Sequence, residues 1–488
     1  MRRLCLAVLA ALLLSTGCSG EDTAVNEGAA REVESAAAAD VDASEPEPAK
    51  VDVRMAVPDV WSLDPADAGP ASITNRVIAD LLYDGLTVLD NGGVPAPGLA
   101  DRWFVSDDRL VWTFVLPDDL VDGAGGPITA RDVKASLERV AARGIADQAA
   151  TSLTAINGWG DRMAGETGGV AGISAPDATT LVIRLDTPYE LLLEVLASPA
   201  FGVTGESDDS ALRTTGAFRA TDDEFRFEAI DADAPVAAIE LVTNDAGPAA
   251  AVAAGDADWG VLASDDEAAG RDADVIRQPL DLQLAIVARS PDQAERIGVL
   301  NALEPLLLAT SVDGLTARPT PASSVEGLQP DEVMIDLPTG QLRAFGEAVV
   351  DQLEEAGVGV TAVTSNGADF AARIASGEAV LFPIVIAGGT GPASASLRLS
   401  VPGASDDVFG PESEARAELA RAVVTELDLE QRALFIEALE RSLIDDGLLL
   451  PVGQFEVRIA IGTRLDGLRH RTDGSLDLSD VAVAPAAS

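Results

Sequence analysis

A chain of 488 residues is long enough to bury more than one hydrophobic core, and its 81 Asp+Glu against 33 Lys+Arg leave a formal net charge of -48. Such a chain repels nucleic acid, whose affinity depends on Lys and Arg neutralising phosphates, and it gains nothing from anionic lipid headgroups. Aromatics are 4% of the residues against 47% hydrophobic, so the cores are built from Ala, Val and Leu. Lys50 and Lys134 are the two lysines; every other base is Arg, as GC-rich codon usage or a saline habitat would each produce.

Arg2-Arg3, an apolar run from Leu4 to Leu14, and Ser15-Thr16-Gly17-Cys18 read as a lipoprotein export signal over residues 1–18, with Cys18 lipidated after cleavage. The alternative is an ordinary secretory signal with a coincidental cysteine. The apolar run is too short for a stable transmembrane helix. Cys5 leaves with the signal, so the mature chain has no disulfide, and a thiol enzyme or Cys-rich zinc site is excluded. Residues 19–50 are Ala, Glu, Asp and Pro with almost no large apolar side chain, the composition of a disordered acidic tether.

Globular sequence begins with a strand at Val51–Ala56, leading to Trp61 and Leu63-Asp64-Pro65. Ile73, Val77, Ile78, Leu81 and Leu82 form one helical stripe that ends at Asp84-Gly85. Asp107-Asp108 turns Trp103-Phe104-Val105 into a strand whose Leu110, Trp112, Phe114 and Leu116 alternate with smaller residues. A helix opens at Thr129 with Asp132 as a partial capping box. Leu181–Leu185 is a strand, 189–201 a helix, and Phe218 to Ile230 strands around Asp222-Asp223-Glu224. Leu282–Ala288 reads as a strand and 292–308 as a helix. Val333–Leu337, Gln341–Ala356, Val358–Val363, Asp369–Ser376 and Ala379–Ile386 then alternate strand and helix, a parallel α/β unit. Asp428, with Gln431 completing a box, opens a last long helix; Leu448–Val452 and a strand from Val457 to Ile461 follow.

Motifs for catalysis are missing. The single histidine, His470, lies between Arg469 and Arg471 with no nucleophile elbow to serve. Acidic pairs such as Asp208-Asp209, Asp265-Asp266 and Asp445-Asp446 read as solvated turns. One His and no usable Cys argue against a transition-metal cage, and no calcium-loop spacing is present, so neither metal nor cofactor is expected. Gly388-Gly389-Thr390-Gly391 follows an apolar strand but lacks the Gly-Lys-Ser/Thr ending of a phosphate loop. It is either a ligand-facing turn or a plain loop. Arg289 could meet a ligand carboxylate or a surface acid. Trp61 and Trp159 are the candidate aromatic walls of a binding site.

Leu63-Asp64-Pro65, Leu82-Tyr83-Asp84-Gly85-Leu86, Pro97 through Leu99-Ala100 to Trp103, Trp112-Thr113-Phe114 and Thr129 to Arg139 follow one another in an order and spacing that resemble the family-5 solute-binding proteins of ABC importers. The resemblance is strong over the first half of the chain, moderate over the last third and thin between. It implies an α/β, two-lobed periplasmic-binding-protein-like fold of the large peptide-receptor class (type II) with a hinge. Lobe one would be 51–280 with 451–488 returning to it, and lobe two 281–450. It places Trp61 on the lobe edge facing the cleft, and Thr214-Thr215 where relatives have Gly-Thr in Gly-Thr-Gly-Pro-Phe. It implies capture of a small or short-peptide solute, delivery to an ABC permease, and an extracytoplasmic position held at the membrane by the N-terminal lipid. Peptide-binding relatives carry an acidic residue for the peptide ammonium in the stretch matched by Ala387 to Ser394, which has neither acid nor aromatic. An ammonium in a dry cleft wants a counter-charge, so this departure weakens free-peptide binding. It also leaves open a degenerate receptor-fold lipoprotein acting as a scaffold or sensor.

Overall fold

A computed structural model describes residues 50–488 apart from 59–60, 69–72, 91–93, 144–152, 205–212, 263–272, 313, 319–326, 340–341, 388–408, 410–413, 427, 471–474 and 485–488. The tether, Cys18, and Gly388, Gly389 and Thr390 therefore lie outside the described residues.

The expected first strand is β1 (Val51–Ala56), with Val51, Val53 and Met55 buried on alternate positions. The stripe after it is α1 (Ile73–Leu82). Both pack into a core with Phe227, Ile239, Trp259 and Ile459. The hairpin is β2 (Arg102–Val105) and β3 (Val111–Val115), turned at Arg109, whose φ is 60°. Then come α2 (Ala130–Ala141), β4 (Ile173–Ser174) and β5 (Thr180–Arg184), giving a four-stranded antiparallel sheet in the order β2-β3-β5-β4. Trp112, Phe114, Leu181 and Ile183 point from this sheet onto Val133, Leu137 and Val140 of α2, a second core. The Asp132 carboxylate accepts from the Thr129 N–H at 2.8 Å and from its hydroxyl at 2.7 Å, as the capping pattern requires. The single helix expected over 189–201 is instead α3 (Leu192–Leu196) and a 3-10 turn at Pro199–Phe201. Pro199 supplies no N–H to continue the helix.

After β6 (Phe218–Ala220), β7 (Arg226–Ala229), β8 (Val236–Val242) and β9 (Trp259–Leu262) comes a 16-residue strand, β10 (Ala273–Ala288), more than twice the length read from sequence. The helix expected over 292–308 breaks into α4 (Gln293–Asn301) and a short turn of helix at Pro305–Ala309, again at a proline. Next are β11 (Leu315–Ala317), β12 (Glu332–Pro338), α5 (Arg343–Glu355), β13 (Gly359–Ser365), α6 (Gly367–Ala375) and β14 (Leu381–Ala387). β12 pairs parallel with both β13 and β14, the expected α/β unit. Then follow α7 (Glu414–Thr425), α8 (Leu429–Asp445) and β15 (Leu449–Gly462). Asp428 caps α8 by accepting from the N–H groups of Glu430 and Gln431 at 2.9 and 3.0 Å. Its own N–H goes to Glu426, so no reciprocal box forms with Gln431.

One sheet of eleven strands, ordered β13-β12-β14-β10-β15-β9-β1-β8-β7-β6 with β11 also on β15, joins the other strands named above. The two long strands β10 and β15 run through it from one core to another. Ile276, Val457, Ile459 and Ile461 pack with β1 and α1. Leu284, Ile286, Leu450 and Val452 pack with Ile335, Phe345 and Leu381. This is a two-lobed α/β fold whose lobes share β10 and β15 as a hinge. The boundaries expected at 280/281 and 450/451 both fall inside these strands.

Candidate ligand cleft

Strand directions locate the site. β15 descends from Leu449, opposite Val287, to Gly462, opposite Ala273. On the first-lobe side β9 is antiparallel to it, with Trp259 opposite Ile461 and Leu262 opposite Arg458, so β9 climbs toward the middle. β1 is parallel to β9 and climbs with it. On the other side β14 is antiparallel to β10, with Leu381 opposite Ala288 and Ala387 opposite Leu282, so β14 descends toward the middle, and β12 and β13 descend with it. The carboxyl ends of the strands of both lobes thus meet head to head over the centre of β10 and β15. Ligands of open α/β sheets bind outside the carboxyl ends of strands.

That centre is irregular. Pro279 pairs with Glu456 and Gln283 with Gln454, so Leu280, Asp281 and Leu282 face Phe455 alone. Extra residues on one strand bend and twist it, which is what a hinge needs. The bulge is held by the Gln454 side-chain amide, which donates to the Leu280 carbonyl at 3.0 Å. It is braced by Arg318, which donates to the Gln283 side chain at 3.2 Å and grips Glu440 at 2.7 and 3.0 Å. Ile73, at the start of α1, packs with Leu280, Leu282, Phe455 and Val457 in a small apolar cluster of its own. From sequence, a lobe crossing is expected at 280/281 and Ile73 only as part of a helical stripe; Gln454, Phe455 and Glu440 were not singled out. The missed signal was Pro279 beside the alternating Leu280, Leu282, Leu284 and Ile286, of which only Leu282–Ala288 was read as strand.

The expected site residues divide. Trp61 follows β1 at its carboxyl end, half-buried against the first-lobe core, its ring edge-on to Phe225 at 5.9 Å. It lies beside the strand ends that face the hinge bulge. Trp159 is fully buried in the hairpin core and offers no wall to a solute; packing against α2, not recognition, explains it. Thr214 and Thr215 are also buried. The Thr215 hydroxyl donates to the Val203 carbonyl at 2.7 Å and accepts from the Asp84 N–H at 3.1 Å, which uses it up. The Thr214 carbonyl accepts from Gly123. Both threonines tie the end of α1 to the hairpin unit and are withdrawn from the cleft. Arg289 sits past the far end of β10. Its guanidinium donates to the Ile374 carbonyl at 2.8 Å in the last turn of α6, a helix-end role. Seven residues separate it from Leu282, roughly 20 Å of strand.

Asp84 is the unusual ionisable group nearby. It is half-buried beyond α1, and burial pushes its carboxyl up to about 6. Asp258 is the opposite case. Burial alone would raise its carboxyl, but hydrogen bonds from Arg464 and Arg54 hold it below the ordinary range. Among the described residues no group of three His, Cys, Asp or Glu could hold a metal ion, and no helix is long and apolar enough to cross a membrane.

Residues 94–278 match the family model for bacterial extracellular solute-binding proteins, family 5 Middle. The periplasmic murein peptide-binding protein MppA of Escherichia coli is 36% identical over 144 residues, 29% of this chain and 26% of that protein. The periplasmic oligopeptide-binding protein OppA of Salmonella typhimurium is 33% identical over 147 residues, again 29% and 26%. These alignments span about a quarter of the relatives' length. In fold, the unliganded open form of MppA superposes with a TM-score of 0.68 at 19% identity, covering 89% of this chain and 98% of that one. Clavulanic acid biosynthesis oligopeptide binding protein 2 gives 0.69 at 19%, covering 90% and 97%. The family match thus covers residues 94–278, and the solved structures extend the shared two-lobed fold to about nine-tenths of the chain.

Proposed function

We propose that this chain captures a small, peptide-like solute outside the cell, between lobes that swing on β10 and β15, and hands it to an ABC permease in the membrane. Residues 1–18 act as the export signal and Cys18 carries the lipid that keeps the protein at the membrane. The reading is of binding without covalent chemistry: affinity comes from desolvation of the cleft and a few fixed polar groups, with Trp61 as one wall. The observation that carries it is the head-to-head meeting of strand ends over the hinge bulge. Relatives named for murein peptide and oligopeptide binding support the solute class.

The test is native mass spectrometry of the purified protein, followed by a thermal-shift screen of di- to pentapeptides, opines and sugars. A peptide-like solute at a hundred times its Kd stabilises by about 2.7 kcal/mol, a shift of several degrees. An empty native protein, unmoved by every solute, supports the second reading, a receptor-fold scaffold or sensor. That reading is favoured by one feature, the lack of any acid or aromatic from Ala387 to Ser394.

A further inference from the structure

The lobes touch a second time, about two helical turns along α8 from the Glu440 that braces the bulge. α8 belongs to the second lobe, where Leu443 packs with Ala285, Val287, Phe382 and Leu449. α7 lies against α8, yet its Val424 is 2% exposed inside the core of the hairpin unit on the other lobe. Backbone and side chains sew this contact. The Glu190 N–H donates to the Val424 carbonyl at 2.8 Å, and Arg109 donates to the Thr425 carbonyl at 2.8 Å. Arg432 of α8 pairs with Glu194 of α3, both largely buried, and Arg109 stands 3.2 Å from a Glu190 carboxylate that is 1% exposed. Every charged group here is one that water would welcome back if the contact parted.

We propose that this seam is a latch, holding the lobes together beyond the hinge strands and setting how often the cleft is shut before any solute arrives. Its composition suits a contact that opens and closes. A buried ion pair roughly breaks even between lost hydration and gained attraction. The net hold is then left to Val424, whose burial is worth about tenfold in an equilibrium. The fraction of molecules held shut multiplies the apparent affinity for a solute, so the seam tunes binding without touching the ligand.

The inference rests on the two-lobed fold and not on the solute reading, and it is tested with no solute present. The chain's two cysteines are replaced in full-length protein (Cys5→Ser, Cys18→Ser), and spin labels are placed on α2 (Arg131→Cys) and α8 (Glu437→Cys) for pulsed distance measurement. Arg432→Glu and, separately, Val424→Ser are expected to raise the long-distance population about tenfold. Adding Glu194→Arg to Arg432→Glu is expected to bring the short distance back. An unchanged distribution in Val424→Ser, which removes little enough to fold, overturns the latch. So does a charge swap that fails to restore the short distance in a folded protein.

Discussion

Asp84 and Asp258 show how one residue type takes opposite roles in the same lobe. The Asp84 carboxyl is raised to about 6 by burial. Its contribution to stability is therefore full below the ordinary value near 4 and is lost as pH rises through 6. Asp84→Asn is expected to stabilise the protein at pH 8 by on the order of 2 kcal/mol and to leave it unchanged near pH 4, read from urea unfolding at each pH. Asp258 is lowered by Arg464 and Arg54 despite its burial. Its contribution is present above the ordinary carboxylate value and lost as pH falls through the lower, folded one. Asp258→Asn is expected to cost about 3 kcal/mol at pH 7, with the deficit against the parent narrowing below pH 4.

At the scale of elements, close approaches decide what each can tolerate. A Cβ on Gly298 of α4 would stand 2.2 Å from the Leu328 carbonyl oxygen, a backbone atom that cannot swing away. Gly298→Ala is expected to lower stability by about 1–3 kcal/mol, measured by chemical unfolding, while an alanine at the exposed helix position Gln293 changes little. Elements with a periodic apolar stripe were legible in the sequence. α1, α2, α5 and the β12-α5-β13-α6-β14 unit fall where the pattern of Leu, Val and Phe placed them. Proline ended the helices at 199 and 305 earlier than the stripe did. The site was less legible, because Trp159, Thr214, Thr215 and Arg289 are ordinary members of a stripe or a motif whose partners come from distant segments. Nothing local says that Trp159 meets α2, or that Arg289 ends beside α6. The position of Trp61 past a strand's carboxyl end was legible locally; its part in the cleft belongs to the proposal.

At the scale of the whole molecule, two long strands carry the lobes, and their middle carries the freedom between them. The Gln454 amide closes the bulge on Leu280. Gln454→Leu leaves that carbonyl unmet at a cost of about 1 kcal/mol, and it is expected to widen the spread of interlobe distances without lowering the unfolding midpoint by more than a few degrees. Small-angle scattering compared with the parent reads this directly.

The pairing of β9 with β15 has a consequence for how the chain is made. Trp259 waits for Ile461, some two hundred residues downstream, before its strand has a neighbour on that side. During synthesis the first lobe therefore stays unfinished, with β9 an open apolar edge, until β15 has emerged. Assembly of this kind is slow and prone to sticking, because a distant partner must be found before it helps. A chain stopped at Leu448 is expected to accumulate as aggregate rather than as a free-standing first half, and supplying the missing strand as a separate peptide during refolding should rescue part of it.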